Sequence, residues 1–269
     1  MDPISQGTLG IVTSENVANR KHLTIAAMLG AVAGMAPDLD VLINSEADPL
    51  LFLEYHRQFT HSLVFIPVGG LLCALLMHVV ARRWDLSFAE TLKYCIAGYA
   101  THALLDACTS YGTQLFWPFT DYRVSWSNIS IIDPLFTLPV LTLGILAAIR
   151  KRPLYARAAA IWLLLYLGLG ILQRERAEHV GLELAQSRGH DPVRLEAKPG
   201  FGTLLLWKVV YETEKNYYVD AFRIAVGSKV YTGTSVPKLD LTRDFPWLDP
   251  ASQQAQDIER FRWFSQGMI

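Results

Sequence analysis

"HRQFTHSLVFIPVGGLLCALLMHVVA", residues 56–81, decides how the chain is read. From Ser62 to Ala81 it contains no Asp, Glu, Lys or Arg, and such a 20-residue run spans about 30 Å as a helix, the thickness of bilayer hydrocarbon. Directly in front of it stand His56, Arg57 and His61. Titratable side chains at the mouth of an apolar run either cap a buried helix or hold something at a membrane surface.

The same balance runs outward from this stretch. Hydrophobic residues make up 51% of the 269 and charged ones 18%, an apolar composition for a soluble protein of this size. The net charge of −1 supplies no field to recruit nucleic acid. Cys73, Cys95 and Cys108 lie in apolar stretches without CxxC spacing and read as small core residues. The opening MDPISQGTLG has no basic region leading into an apolar core, so a cleaved signal peptide is not expected. The runs 134–149 and 158–172 are also free of charge and flank the basic cluster Arg150-Lys151-Arg152. Past Gln173 the chain turns charged, and residues 203–233 alternate as strands do, around the turn-like Glu214-Lys215-Asn216. These features predict a mainly α protein: a polytopic helical membrane domain over 1–172, then a small water-facing α+β domain over 173–269. A soluble bundle of very apolar helices is the competing reading, because only one run reaches the roughly 18-residue criterion cleanly.

Spans at 24–43, 62–81, 91–108, 132–149 and 155–172 sort the loops onto two sides. One side receives Arg20, Lys21, Arg82, Arg83, Lys93, Arg150, Lys151, Arg152 and Arg157, and the excess of positive charge makes it cytoplasmic. Asp38, Asp40, His56, His61, His102, Asp106 and Asp133, drawn from four segments, then all fall at the other face. In "THALLD" His102 and Asp106 are four apart on one helix face, a spacing that lets imidazole and carboxylate share a metal or simply bond to each other. In "MAPDLDVL" Pro37 disrupts the helix, so Asp38 and Asp40 can converge from opposite faces or end the helix as solvated acids. His56 and His61 are about 140° apart on an ideal helix and need a bent chain to meet. His78 reads as a packing residue or bundle contact, and His179 and His190 as surface residues. Four carboxylates and three histidines suit zinc or manganese better than calcium and exceed what one zinc needs, so one or two ions are expected.

At these residues the chain resembles the YdjM-like family of bacterial inner-membrane metal-dependent hydrolases. The resemblance runs through "APDLDVL", "HRQFTHSLVF", "THALLDACTSYGTQLFWPF", "IIDPLFTLP", "LLLWKVVYE" and "FRWFSQG". That family looks related to the zinc phospholipase C and P1 nuclease group, whose HxxxD motif would correspond to His102 and Asp106. The resemblance implies hydrolysis of a phosphoester, in a lipid or lipid-linked molecule. One position departs. The family usually begins with Thr-His-Ala-Leu-Leu-Gly, whereas "ISQGTLG" here puts Gln6 where the histidine stands, and an amide is the weaker zinc ligand. If residues 4–18 form a further crossing helix, Gln6 reaches the face of the other ligands.

The expectation is a multi-pass protein of the bacterial inner membrane whose metal ions are held by Asp38, Asp40, His56, His61, His102 and Asp106 on the non-cytoplasmic side. Asp133 is the expected general base or outer partner of the ligands, and Arg57 the phosphate contact. The partners are the lipid bilayer and a small-molecule or lipid-linked substrate. Residues 109–128, rich in Trp and Phe, would form a loop over the site or an interfacial belt. Two other functions compete: a transporter using the Asp/His cluster, and a membrane anchor whose metal is structural and whose C-terminal domain is active.

Overall fold

A computed structural model describes residues 1–269. Six helices build the apolar part: α1 (Pro3–Asn16), α2 (Leu23–Met35), the short α3 (Leu51–Tyr55), α4 (Ile66–Ala81), α5 (Phe88–Ala107) and α6 (Pro134–Arg150). Their starts are set by local chemistry. Asp2 caps α1 by accepting from the amide of Ser5, Ser87 and Glu90 form a capping box on α5, and Asp133 caps α6. Pro37 turns the end of α2 into a 3₁₀ stretch, Ala36–Leu42. At three residues per turn, Asp38 and Asp40 leave it about 120° apart rather than from opposite faces.

Glycine decides how closely the helices approach. A Cβ on Gly10 would lie 2.0 Å from the Gly30 carbonyl oxygen, one on Gly30 would lie 2.1 Å from that of Gly10, and one on Gly98 would lie 2.6 Å from that of Gly30. Backbones this close require small residues, the usual device where lipid gives helices no hydrophobic reason to associate. The same contacts give directions. Gly10 faces Gly30 while Gly34 faces Gln6, so α1 and α2 are antiparallel. Gly30 faces Gly98 and Gly34 faces His102, so α2 and α5 are parallel. Gly69 and Gly70 of α4 meet Tyr99 and Ile96 of α5, so α4 and α5 are antiparallel. The start of α1, the end of α2, the entry to α4 and the end of α5 therefore meet at one end of the bundle.

The long helix α7 (Pro153–Ser187) runs without a break through the composition change at Gln173. Its 35 residues extend about 52 Å, well beyond the hydrocarbon thickness. The outer part carries an antiparallel sheet of β1 (Arg194–Pro199), β2 (Leu206–Glu212), β3 (Asn216–Ile224) and β4 (Ser228–Pro237), in that order. Gln173 ties helix to sheet by donating to the carbonyls of Leu204 and Ile224. Arg188 and Asp220 add a two-pronged ion pair at 2.6 and 2.9 Å. The chain ends in α8 (Leu241–Asp244) and α9 (Gln253–Phe264). A mainly α protein with a small C-terminal α+β part is what the sequence predicts, and it is what forms.

Three segments are long and apolar enough to cross a membrane: Arg20–Leu42, Leu63–Trp84 and Pro153–Ser187. Two of the five expected crossings fall short of that measure. Helix α5 carries Glu90, Lys93 and Asp106, and α6 has only 17 residues. Helix α1, which the hydropathy pattern leaves undecided, is a central helix with nine buried residues. Cys73, Cys95 and Cys108 are free and buried as expected. His78 bonds Thr91 at 3.0 Å inside the bundle. His190 is half-buried and bonded to the Tyr211 hydroxyl at 2.8 Å, which the surface reading missed.

Gly30→Val places branched carbons where α1 passes, against the Gly10 carbonyl and Ser14. We expect it to destabilise the bundle by on the order of 3 kcal/mol and to lower metal content with it. Thermal unfolding in detergent measures the first and metal analysis the second; a fully stable variant would refute this packing.

Candidate metal centre

The convergence of helix ends places four side chains around one point. Asp38 Oδ1, His61 Nε2, His102 Nε2 and a carboxylate oxygen of Asp106 lie within 4.8 Å of one another. The two Nε2 atoms are 2.9 Å apart. Asp38 Oδ1 lies 3.3 Å from His102 Nε2 and 3.6 Å from His61 Nε2, and Asp106 Oδ2 lies 3.3 Å from His61 Nε2. His61, His102 and Asp106 are fully buried, while Asp38 keeps 22% of its side chain exposed, so the cluster opens to solvent on the Asp38 side.

The outward nitrogens are already assigned. His102 Nδ1 donates to the Gly34 carbonyl at 2.6 Å. Thr60 donates its hydroxyl proton to Asp40 at 2.9 Å and so accepts from His61 Nδ1, also at 2.9 Å, with Asp40 Oδ2 itself 3.2 Å from that nitrogen. Both rings thus turn an Nε2 lone pair toward the same point, the arrangement that outer partners impose on metal-binding histidines. Asp106 Oδ2 is buried with ions close by, yet no donor is aligned for a hydrogen bond to it. Two facing lone pairs and an unsatisfied carboxylate oxygen fit a cation. Two imidazoles with carboxylates form a mixed nitrogen and oxygen donor set of the kind that holds divalent ions.

A second group, Asp38, Asp40 and His56, shares Asp38 with the first. Here the Asp40 carboxylate is heavily used. It takes His56 Nδ1 at 2.8 Å, the Arg57 amide at 3.0 Å and the Thr60 hydroxyl at 2.9 Å. Its geometry is that of an orienting group for two histidines. Four of the six expected ligands therefore surround one point, with Asp40 and His56 beside them.

Arg57 reaches the cluster: its Nε is 2.9 Å from Asp106 Oδ2, and Nη1 donates to Thr109 at 3.0 Å. Asp133 does not. Its carboxylate accepts from the amides of Leu135 and Phe136 and from the Tyr166 hydroxyl, and it makes no bond to any cluster residue. Helix capping, common for an Asp just before a Pro, explains its position. Gln6 does lie at the site. Its Nε2 donates to Asp106 Oδ1 at 2.8 Å, while its Oε1 is buried without a partner. The amino group of Met1 also contacts Asp106 Oδ1. Sequence reading missed Thr60, Tyr111 and Arg123. Tyr111 stacks under Arg57, whose Cζ is 4.6 Å from its ring, and the buried Arg123 donates to the His56 carbonyl at 3.2 Å. Thr60 could have been found, since it sits between the two histidines; nothing in the local sequence marks the other two.

An apolar helical bundle with a buried His/Asp cluster at one end defines a membrane protein with a candidate metal centre. The chain belongs to the YdjM inner membrane protein family, whose pattern matches residues 1–177. It is 34% identical over 110 residues to the inner membrane protein YbcI of Escherichia coli K12, covering 38% of this chain and 60% of that protein. It is 26% identical over 127 residues to the uncharacterized protein YfhP of Bacillus subtilis 168, covering 46% of this chain and 38% of that one. The chain thus spans less than two thirds of the curated relatives it matches. No solved structure matches it. The protein is accordingly one of the bacterial inner membrane. The stretches "LLLWKVVYE" and "FRWFSQG" lie beyond the matched region.

Burial alone would push the His61 imidazolium toward deprotonation, but the carboxylates of Asp106, Asp38 and Asp40 close around its ring outweigh it and raise its pKa to about 10. Without a cation, a proton takes the cation's place. Metal must displace that proton, so affinity rises with pH until His61 is neutral and falls as acid returns the proton. We expect the apparent Kd for Zn²⁺ or Mn²⁺ to weaken roughly tenfold per unit between pH 8 and 6. Calorimetry in two buffers of different ionisation enthalpy counts the protons; zero release would show that His61 is not a ligand.

Proposed function

We propose that this protein is a metal-dependent hydrolase acting on a phosphoester of a lipid or lipid-linked molecule at the membrane surface. The observation that carries the proposal is the four-atom set of Asp38, His61, His102 and Asp106, with both imidazoles locked in the tautomer that offers Nε2. When bound there, a divalent cation supplies Lewis acidity toward a phosphoryl oxygen and toward water.

The chain's own residues would do the rest. Arg57 is held by Asp106 and Thr109 through Nε and Nη1, and no protein acceptor engages Nη2, which is left to bind a phosphate oxygen. His56 is steadied through Nδ1 by Asp40 and stacked on Phe52, with ring centroids 4.9 Å apart, so its Nε2 is a proton acceptor at the edge of the site. It could instead join Asp38 in holding a second ion. Asp133 would act only through the start of α6 and Tyr166. The loop after α5 exposes Phe116, Phe119, Tyr122 and Trp126, and these suit the headgroup layer from which a lipid substrate would come.

For orientation, Arg20 donates to the Lys151 carbonyl at the end of the bundle opposite the cluster, where the basic residues gather. The positive-inside rule makes that end cytoplasmic and the cluster non-cytoplasmic. Its place at the helix ends also weighs against a transport site, which needs ligands near the midplane.

His102→Ala and Asp106→Asn should each reduce metal affinity by at least about 10–100-fold, the range already seen for outer partners, while the protein still inserts. Metal analysis of detergent-purified protein, followed by assays on phosphodiester and phospholipid substrates, tests both halves. Full metal content in both variants would sink the site; metal without turnover on any phosphoester would sink the reaction.

A further inference from the structure

The stretch "FRWFSQG", residues 261–267, lies outside the family match and touches none of the candidate ligands, yet it reaches the centre in two steps. Phe264, the last residue of α9, packs edge-on against Tyr111, with ring centroids 5.2 Å apart at 71°. The Arg123 guanidinium sits 5.0 Å from the Phe264 ring and 5.7 Å from that of Tyr111. Gln266 Nε2 donates to the Arg123 carbonyl at 2.7 Å, and the Gln266 carbonyl accepts from Arg194 of β1 at 2.8 Å. Arg123 in turn donates to the carbonyls of His56 and Gly112 at 3.2 and 3.1 Å. Tyr111, fixed in this way, carries Arg57 on its ring.

Arg57 needs such support. Its φ of 64° is a left-handed conformation that a residue with a Cβ rarely adopts, and one that Gly would hold more easily. Its amide is tied to Asp40 and its carbonyl accepts from the Gln114 amide at 3.0 Å. Those bonds fix the backbone; the guanidinium is fixed by Asp106, Thr109 and the Tyr111 ring. Helix α9 is itself anchored near the same place. Arg260 pairs with Asp48 at 2.8 Å and with Glu54 at 2.5 Å, on the segment leading into His56.

We infer that Phe264 and Gln266 are positioning residues of the metal centre. From the outer side they hold Arg123 and Tyr111 in place, so that the Arg57 guanidinium stays against Asp106 with Nη2 free for an anion. The centre is thus completed by the C-terminal end of the chain. What Arg57 binds rests on the phosphoester reading; where Arg57 is held does not.

The full chain in detergent, loaded with Mn²⁺ or Co²⁺, tests this with inorganic phosphate as the probe. Broadening of the phosphate ³¹P signal by Mn²⁺ gives its affinity, and the visible Co²⁺ bands report the setting of Asp106. Phe264→Ala should keep wild-type metal stoichiometry, shift the Co²⁺ bands and weaken phosphate about tenfold, with Phe264→Tyr close to wild type. Arg57→Ala should weaken phosphate at least as much, and the double variant no further, because both changes remove one interaction. Gln266→Ala should act in the same direction as Phe264→Ala. Additive losses, or wild-type phosphate affinity in Phe264→Ala, would overturn the inference. If the metal-loaded wild type binds no phosphate, the phosphoester reading fails and the Co²⁺ spectrum alone decides: unchanged bands in Phe264→Ala then refute the positioning role.

Discussion

Everything at the candidate centre depends on how closely three helices approach at Gly10, Gly30 and Gly98. With a side chain at Gly30, α2 could not approach α1, and with one at Gly98, α5 could not approach Gly30. With none, the Gly34 carbonyl one turn later can accept from His102, and Gln6 can reach Asp106. A contact made purely of backbone, in the apolar middle of the bundle, thus sets the position of polar groups at its end. Van der Waals contact is what helices in lipid have to work with, and here it also aligns a set of ligands.

The charge at that end makes a second demand. Asp38, Asp40 and Asp106 meet the Arg57 guanidinium and the Met1 amino group, both on Asp106, within a cluster that is buried except at Asp38. Unpaired carboxylates away from water are costly; donors saturate Asp40 and so lower its cost, whereas the unaligned Oδ2 of Asp106 leaves part of the cost standing. A proton on His61 or a divalent cation completes the balance.

The C-terminal part takes part through a rigid connection. Because α7 continues about four turns past the apolar run, the sheet stands on the same side as the cluster, and α9 folds back over the segment that carries His56 and Arg57. Its contacts there are the ion pairs of Arg260 with Asp48 and Glu54, the Phe264 ring edge on Tyr111 and the Gln266 amide on the Arg123 carbonyl, and of the α9 residues only Ala255 is buried. They suit orientation of a neighbour more than stability of the fold.

Much of this was legible in the chain itself. The charge-free run after His61 announces a membrane helix because its composition leaves water no foothold, and His102 and Asp106 announce a shared target because an α-helix puts residues four apart on one face. The gathering of polar residues at one end is also what the expected five crossings imply, although only three segments are long and apolar enough to span. The tertiary structure decided the rest. Helix α1 is too polar and too short to be recognised as central; its place follows from glycine contacts with residues twenty positions away. Asp133 looks like a base in sequence and is a helix cap in space, because a cap is defined by the amides it receives. Tyr111, Arg123 and Phe264 carry no chemical signature of their own, and act only because folding stacks them behind Arg57. Periodicity and composition fix what a segment prefers locally; which distant side chains meet is fixed by packing, and the candidate centre is made from such meetings.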